Sequence, residues 1–360
     1  MVSSKKSSHK GVTMRKTWVF VVAVLVMVAF MLPVLGFGAE KAAKPKKVVK
    51  FGQYGIKVPN KDPKKLEIPV VYMNITHAFA GLIKQGVDAA AKEFKCNAYI
   101  TGPTDWATEA QYKVIEDLVT KGVDGMSIAV LDIPGLTPVI QKSLKAGIPT
   151  TCFNVDAPES GRLSFTGEDL YLAGAETAKA LIEHMGESGK IIVSSVAVNA
   201  IWSQKREMGA RSVLSKYPDI EVVELVNAAG DEQTAYATLE NAFLAHSDLN
   251  GMLSCGGTQD LWGRMMKNKN IGNIDSDNPI YTTGHDLYEE QLLMIKDGWA
   301  TVSFGQNPYE QGYQAVKQIY MFLTTGDPKS FKDIDTGVFR VDRNNIDKVL
   351  QMLYDGKPIG

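Results

Sequence analysis

The sequence predicts an α/β protein of two Rossmann-like lobes, each a parallel sheet covered by helices, with a ligand cleft between them. Three observations carry this expectation. Short β-rich apolar runs alternate with stretches whose apolar residues recur every three or four positions. The helices end in repeated signals, Lys121-Gly122-Val123-Asp124-Gly125 and Lys145-Ala146-Gly147-Ile148-Pro149, where Gly suits a left-handed cap and a strand follows. The whole alternation occurs twice in succession, which makes two lobes rather than one.

The first array opens with a strand from Ile68 to Met73. Phe79, Leu82, Ile83, Gly86, Val87, Ala90 and Phe94 then mark one face of a helix. Asn97 to Thr101 is the next strand and Ala107 to Lys121 the next helix. Met126 to Val130, a helix from about Gly135, and Ile148 to Phe153 complete the array. The second array runs helix 170–186, strand 190–196, helix 203–216, strand 221–226, helix 232–246, strand 251–255 and a helix to about Lys269. Pro279 to Gly312 adds a strand, a helix, a strand and the start of another helix. Asp286 and Gln306 stand there where consecutive strands run out, and in open α/β sheets ligands bind at the carboxyl ends of strands. Asp286 can also be read as a helix cap.

The amino-terminal part reads differently. Residues 1–38 carry five bases and no acid, with an apolar run from Trp18 to Leu35 and small residues at Gly36 and Gly38. That pattern describes a secretory signal cleaved near Gly38; the run is also long enough to be an uncleaved membrane anchor. Residues 39–66, rich in Lys, Pro and Gly, read as a linker or surface extension, with folding expected from about Glu67. Beyond residue 38 there are 34 bases against 40 acids, a net charge of -6, which argues against a nucleic-acid partner.

Signatures of catalysis and cofactors are missing from the sequence: it has no G-x-S-x-G elbow, no H-E-x-x-H, no phosphate loop and no G-x-G-x-x-G after a strand. The expectation is a binding protein with no enzymatic activity, no cofactor and no metal. Asp275-Ser276-Asp277-Asn278 lacks the rest of a calcium loop and reads as a surface turn. Cys96, Cys152 and Cys255 lie far apart beside apolar runs and read as structural thiols.

His77-Ala78-Phe79, KGVDG at 121–125, AGIPTTCFNVD at 146–156, Arg206-x-x-Gly209, TTGHD at 282–286 and DGWATVSFGQNPYEQG at 297–312 together resemble the type I periplasmic sugar-binding proteins of ABC transporters, over roughly residues 67–343. The resemblance implies lobes of residues 67–167 plus 307–335 and 168–306 plus 336–360, joined by a three-crossover hinge near 154–168, 304–309 and 333–338. It also implies a monosaccharide or cyclic polyol as ligand, a membrane permease as partner, a periplasmic location and a monomer.

Carried over residue by residue, the resemblance places His77 and Phe79 in the first-lobe loop, Asn154 where relatives usually have Asp, and Asp156 two residues on. Arg206 would fork onto ring and hydroxyl oxygens, with Trp202 as a stacking face, because Gly230 stands where relatives often carry an aromatic. Thr258 or Gln259 would take a polar role, and Asp286 and Gln306 match without departure. Arg206 can also be read as an exposed helix Arg paired with Glu207. As a ligand residue, its replacement by Ala is expected to leave ligand-free melting nearly unchanged. The same fold serves in transcription regulators, which carry a helix-turn-helix where this chain has an export pattern. Delivery of a sugar-like signal to a receptor is the alternative to import.

Overall fold

The computed structural model describes residues 44–359, so the signal at 1–38 lies outside the described residues. The described chain begins with an antiparallel hairpin, β1 (Lys47–Phe51) and β2 (Tyr54–Val58). Val49, Tyr54, Ile56 and Val58 are buried in the core of the first lobe. The expectation of an extension that is linker rather than core is therefore corrected. Val49, Tyr54, Ile56 and Val58 point inward while Lys50 and Lys57 beside them stay in water.

The first lobe is built from β3 (Glu67–Val71), α1 (Ala78–Phe94), β4 (Asn97–Thr101), α2 (Thr108–Lys121), β5 (Met126–Ile128), α3 (Ile133–Lys145), β6 (Thr150–Phe153) and β7 (Phe165–Gly167). The second contains α4 (Leu170–Met185), β8 (Gly189–Ser195), α5 (Ile201–Leu214), β9 (Ile220–Asn227), α6 (Glu232–Ala245), β10 (Gly251–Ser254), α7 (Gln259–Lys269), β11 (Tyr281–His285), α8 (Glu289–Lys296) and β12 (Val302–Gly305). The chain then returns through α9 (Pro308–Thr325) and β13 (Ile334–Asp335) to the first lobe, and ends in the second with β14 (Phe339–Val341) and α10 (Ile346–Tyr354).

Each lobe carries a six-stranded sheet, in the orders β13-β7-β6-β5-β3-β4 and β14-β12-β11-β10-β8-β9. Within these two sheets all pairings are parallel except β12 with β14. The chain passes between the sheets at Glu168-Asp169, at Gln306-Asn307 and at residues 336–338. The short strands β7, β13 and β14 were not legible as elements, because two or three residues cannot display a period.

One helix pair in each lobe crosses with backbone against backbone. A Cβ at Gly86 of α1 would lie 1.9 Å from the Tyr309 carbonyl oxygen of α9, and one at Gly312 would lie 2.2 Å from that of Ile83. The second lobe repeats the device: a Cβ at Gly174 of α4 would meet the Arg206 carbonyl oxygen at 1.9 Å, and one at Gly209 of α5 would meet that of Tyr171 at 1.9 Å. These crossings fix α1 and α5, the helices whose first turns carry Phe79, Trp202 and Arg206. Gly86→Ala or Gly209→Ala is expected to cost about 2–3 kcal/mol, the scale of overpacking a rigid contact. Denaturant unfolding of the two variants checks this, and stability within error of the wild type would contradict it.

Candidate ligand-binding cleft

A cavity of about 100 Å³ lies where both sheets end at their carboxyl edges. Tyr72 follows β3, Asn154 follows β6, Val196 follows β8, Asp286 follows β11 and Gln306 follows β12; all line it. Topology therefore gathers strand ends that are far apart in sequence. Asn154 (φ 60°) and Asp286 (φ 75°) are in the left-handed region, which Asn and Asp tolerate better than other side chains. That conformation turns the chain sharply at the strand end.

A polar belt joins the lobes. The Asn154 amide donates to Gln306 Oε1 (2.9 Å) and to Gln311 Oε1 (3.1 Å), and Gln306 Nε2 donates to Asp286 Oδ1 (2.8 Å). Asn154 Oδ1 and Asp286 Oδ2 are left as acceptors without a partner among the described residues. Asp286 caps no helix: α8 has Tyr288 at its N-cap and no side-chain cap bond.

Arg206 is 3% exposed and paired with Glu168, not with Glu207, which bonds Arg211 instead. Its Nε and Nη2 both donate to Glu168 Oε1, and Nη1 donates to the Cys255 carbonyl (3.1 Å). Three of five N–H donors are thus used, and two remain for a ligand. Burial pushes the Glu168 carboxyl above its usual range against the pull of Arg206, and its Oε2 has no partner.

Rings wall the cavity: Tyr72, His77, Phe79 and Trp106 from the first lobe, Trp202 and Tyr288 from the second. Trp202 lies 5.9 Å from the Arg206 guanidinium, and a Cβ on Gly256 would strike its ring at 2.6 Å. Trp202 and Tyr288 also pack on the first-lobe core, so the two lobes stand closed on one another. His77 sits edge-on to Trp106 (5.4 Å) and Tyr288 (6.3 Å); loss of water among these rings lowers its imidazole pKa. Burial raises the phenol pKa of Tyr72 and Tyr288, keeping both as O–H groups.

The structure thus brings together seven of the expected residues: His77, Phe79, Asn154, Trp202, Arg206, Asp286 and Gln306. It excludes two. Asp156 points away into an ion pair with Arg162 (2.7 Å), since the left-handed turn at Asn154 breaks the strand's two-residue alternation. Thr258 is fully buried beneath the cleft, its hydroxyl bonded to Ser254 and Ser194, and Gln259 is likewise spent on the carbonyls of Thr282 and Val302. Sequence reasoning missed Tyr72, Trp106, Glu168 and Tyr288. Strand-end position marks Tyr72 and proximity to Asp286 marks Tyr288; Glu168 was hidden beside Asp169, which caps α4.

Two variants test the energetics. Arg206→Ala leaves the Glu168 carboxylate buried and uncompensated, so it is expected to cost about 3–5 kcal/mol without any ligand; this corrects the expectation of unchanged melting. Denaturation of the ligand-free variant is the check, and an unshifted midpoint would contradict it. His285 on β11 is 1% exposed and held neutral, its pKa well below 6.5 through burial and the Arg206 charge. Its unfolded form binds a proton more readily, so stability is full above about pH 6.5 and falls on acidification, by up to about 1.4 kcal/mol per pH unit. In His285→Gln this part of the pH dependence of unfolding should vanish; an unchanged profile would refute the assignment.

The periplasmic binding protein domain model matches residues 68–327. The xylose/arabinose-binding protein XylF of Sulfolobus acidocaldarius is 25% identical over 302 residues, 80% of this chain and 74% of the relative. The D-allose-binding periplasmic protein of Escherichia coli is 23% identical over 261 residues, 70% of this chain and 82% of the relative. A crystal structure of an ABC transporter solute-binding protein from Burkholderia graminis in complex with D-arabinose superposes with a TM-score of 0.75 at 24% identity, covering 79% of this chain and 98% of that one. Two parallel lobes, a cleft at the strand ends and a family match across most of the folded chain agree: the protein belongs to the periplasmic binding protein domain family.

Proposed function

We propose that this protein is an exported solute-binding protein that closes on a small neutral polyhydroxylated ligand, a monosaccharide or cyclic polyol, and delivers it to an ABC permease. The observation that carries the reading is a charge-compensated donor and acceptor set between aromatic walls. Arg206 offers two N–H donors, while Asn154 and Asp286 each offer an oxygen acceptor. Sugar hydroxyls donate and accept at once and match such a set, while the apolar face of a sugar ring matches Phe79 or Trp202. An anionic ligand is disfavoured, because Glu168 already neutralises Arg206 and Asp286 adds a further carboxylate.

The names of the relatives, for xylose, arabinose and D-allose, support the ligand class. The basic, apolar and small-residue succession of residues 1–38 supports export. The three chain passages between the lobes support hinge opening for entry and release. In this reading the ligand is held unchanged and the protein acts as a monomer.

Mass spectrometry of small molecules released on denaturing the purified protein is expected to identify a neutral sugar or polyol. With that ligand, Asp286→Ala should weaken binding by about 1.5–3 kcal/mol, roughly 10- to 150-fold, in calorimetric titration. Release of an anionic or apolar molecule, or wild-type affinity in a folded Asp286→Ala variant, would overturn the reading.

A further inference from the structure

Charge is strongly segregated along this chain. Residues 41–65 contain nine lysines and one acid, Asp62, whereas residues 66–360 contain 25 bases against 38 acids. The basic segment is no loose tail, since the hairpin β1–β2 is tied to the first lobe. Lys57 Nζ donates to the Ala146 carbonyl (2.6 Å) and Lys47 Nζ to that of Gly326 (3.2 Å), at the carboxyl ends of α3 and α9, where cations are favoured. Lys61 bonds Asp124 (2.7 Å).

Five further lysines, Lys44, Lys46, Lys50, Lys64 and Lys65, are exposed and have no acidic partner among the described residues. Val48, 54% exposed, stands between Lys46 and Lys50. Ala146 and Gly147, which Lys57 of the hairpin touches, and Asp124, which Lys61 touches, precede β6 and β5, so this basic segment lies at the amino ends of the strands. The cleft is at the opposite, carboxyl ends.

We propose that this hairpin face docks on the surface of an anionic lipid bilayer. Lysines near such a surface each strengthen binding about fivefold, and five exposed lysines without acidic partners among the described residues lie within residues 44–65. The sequence also names the bilayer as occupant. The apolar run Trp18–Leu35 ends nine residues before Lys44, a span of at most about 30 Å. Whenever that run is in a membrane, the hairpin is held within reach of lipid, and an apolar anchor plus a polybasic patch is a stable pair of membrane signals. The contact is electrostatic and reversible. It leaves the cleft and the three crossings free.

The test uses the full chain on vesicles of phosphatidylcholine alone or with roughly one third phosphatidylglycerol, read by amide hydrogen exchange. Amides of residues 44–58 should exchange at least about fivefold more slowly on the anionic vesicles, and roughly 0.5 M salt should abolish the difference. The combined variant Lys46→Glu, Lys50→Glu, Lys64→Glu, Lys65→Glu should lose it too, with melting unchanged because all four side chains are exposed. Equal exchange on both vesicles, or slowing that survives salt and charge reversal, would overturn the proposal. So would protection supplied only by a lipid-free acidic protein fraction, which would assign the face to a protein.

Discussion

The buried pair of Glu168 and Arg206 is the contact on which the site depends. Glu168 belongs to the first chain passage between the lobes, and Arg206 to the first turns of α5 in the second. A pair removed so completely from water gains little net stability, because desolvation offsets the attraction. What it supplies is position. Glu168 and the Cys255 carbonyl fix the guanidinium plane, and Gly174 presses on the Arg206 carbonyl from α4. A crossing segment, a strand end and two helices therefore converge on one residue, which lines the cavity.

The bonds that close the cleft are of another kind. Asn154, Gln306 and Asp286 form a chain of amide and carboxylate contacts, and among the described residues no salt bridge joins the lobes beside it. The amide–amide bond is worth only about 1 kcal/mol net and the bond to the carboxylate about 1.5–3 kcal/mol. A ligand can match or replace them, and the equilibrium between open and shut can answer to its contacts. The strong interaction holds the arginine within the hinge and second lobe; the weak ones span the gap.

Much of this architecture was legible in the sequence because period and punctuation agreed over long elements. Strand Asn97–Thr101 matched its expected bounds, and the helices of both lobes began and ended within a few residues of their signals. The hairpin was not legible, because lysine, proline and glycine composition outweighed the alternation of Val49, Tyr54, Ile56 and Val58. At the site, the residues directly after strands line the cavity, since topology alone sends them there. Asp156 and Thr258 failed because backbone conformation at Asn154 and a buried hydroxyl cluster with Ser194 and Ser254 decide where they point. Neither is visible in residue order. Glu168 was missed because a buried ion pair joins residues 38 positions apart.

A ligand touching both Arg206 and Asn154 is expected to draw the two lobes together about three crossings. Small-angle scattering of the protein freed of bound ligand, then titrated with the molecule it released, measures this directly. A smaller radius of gyration that saturates with binding is expected. Tight binding with an unchanged scattering profile would contradict it, and would place the site within a single lobe.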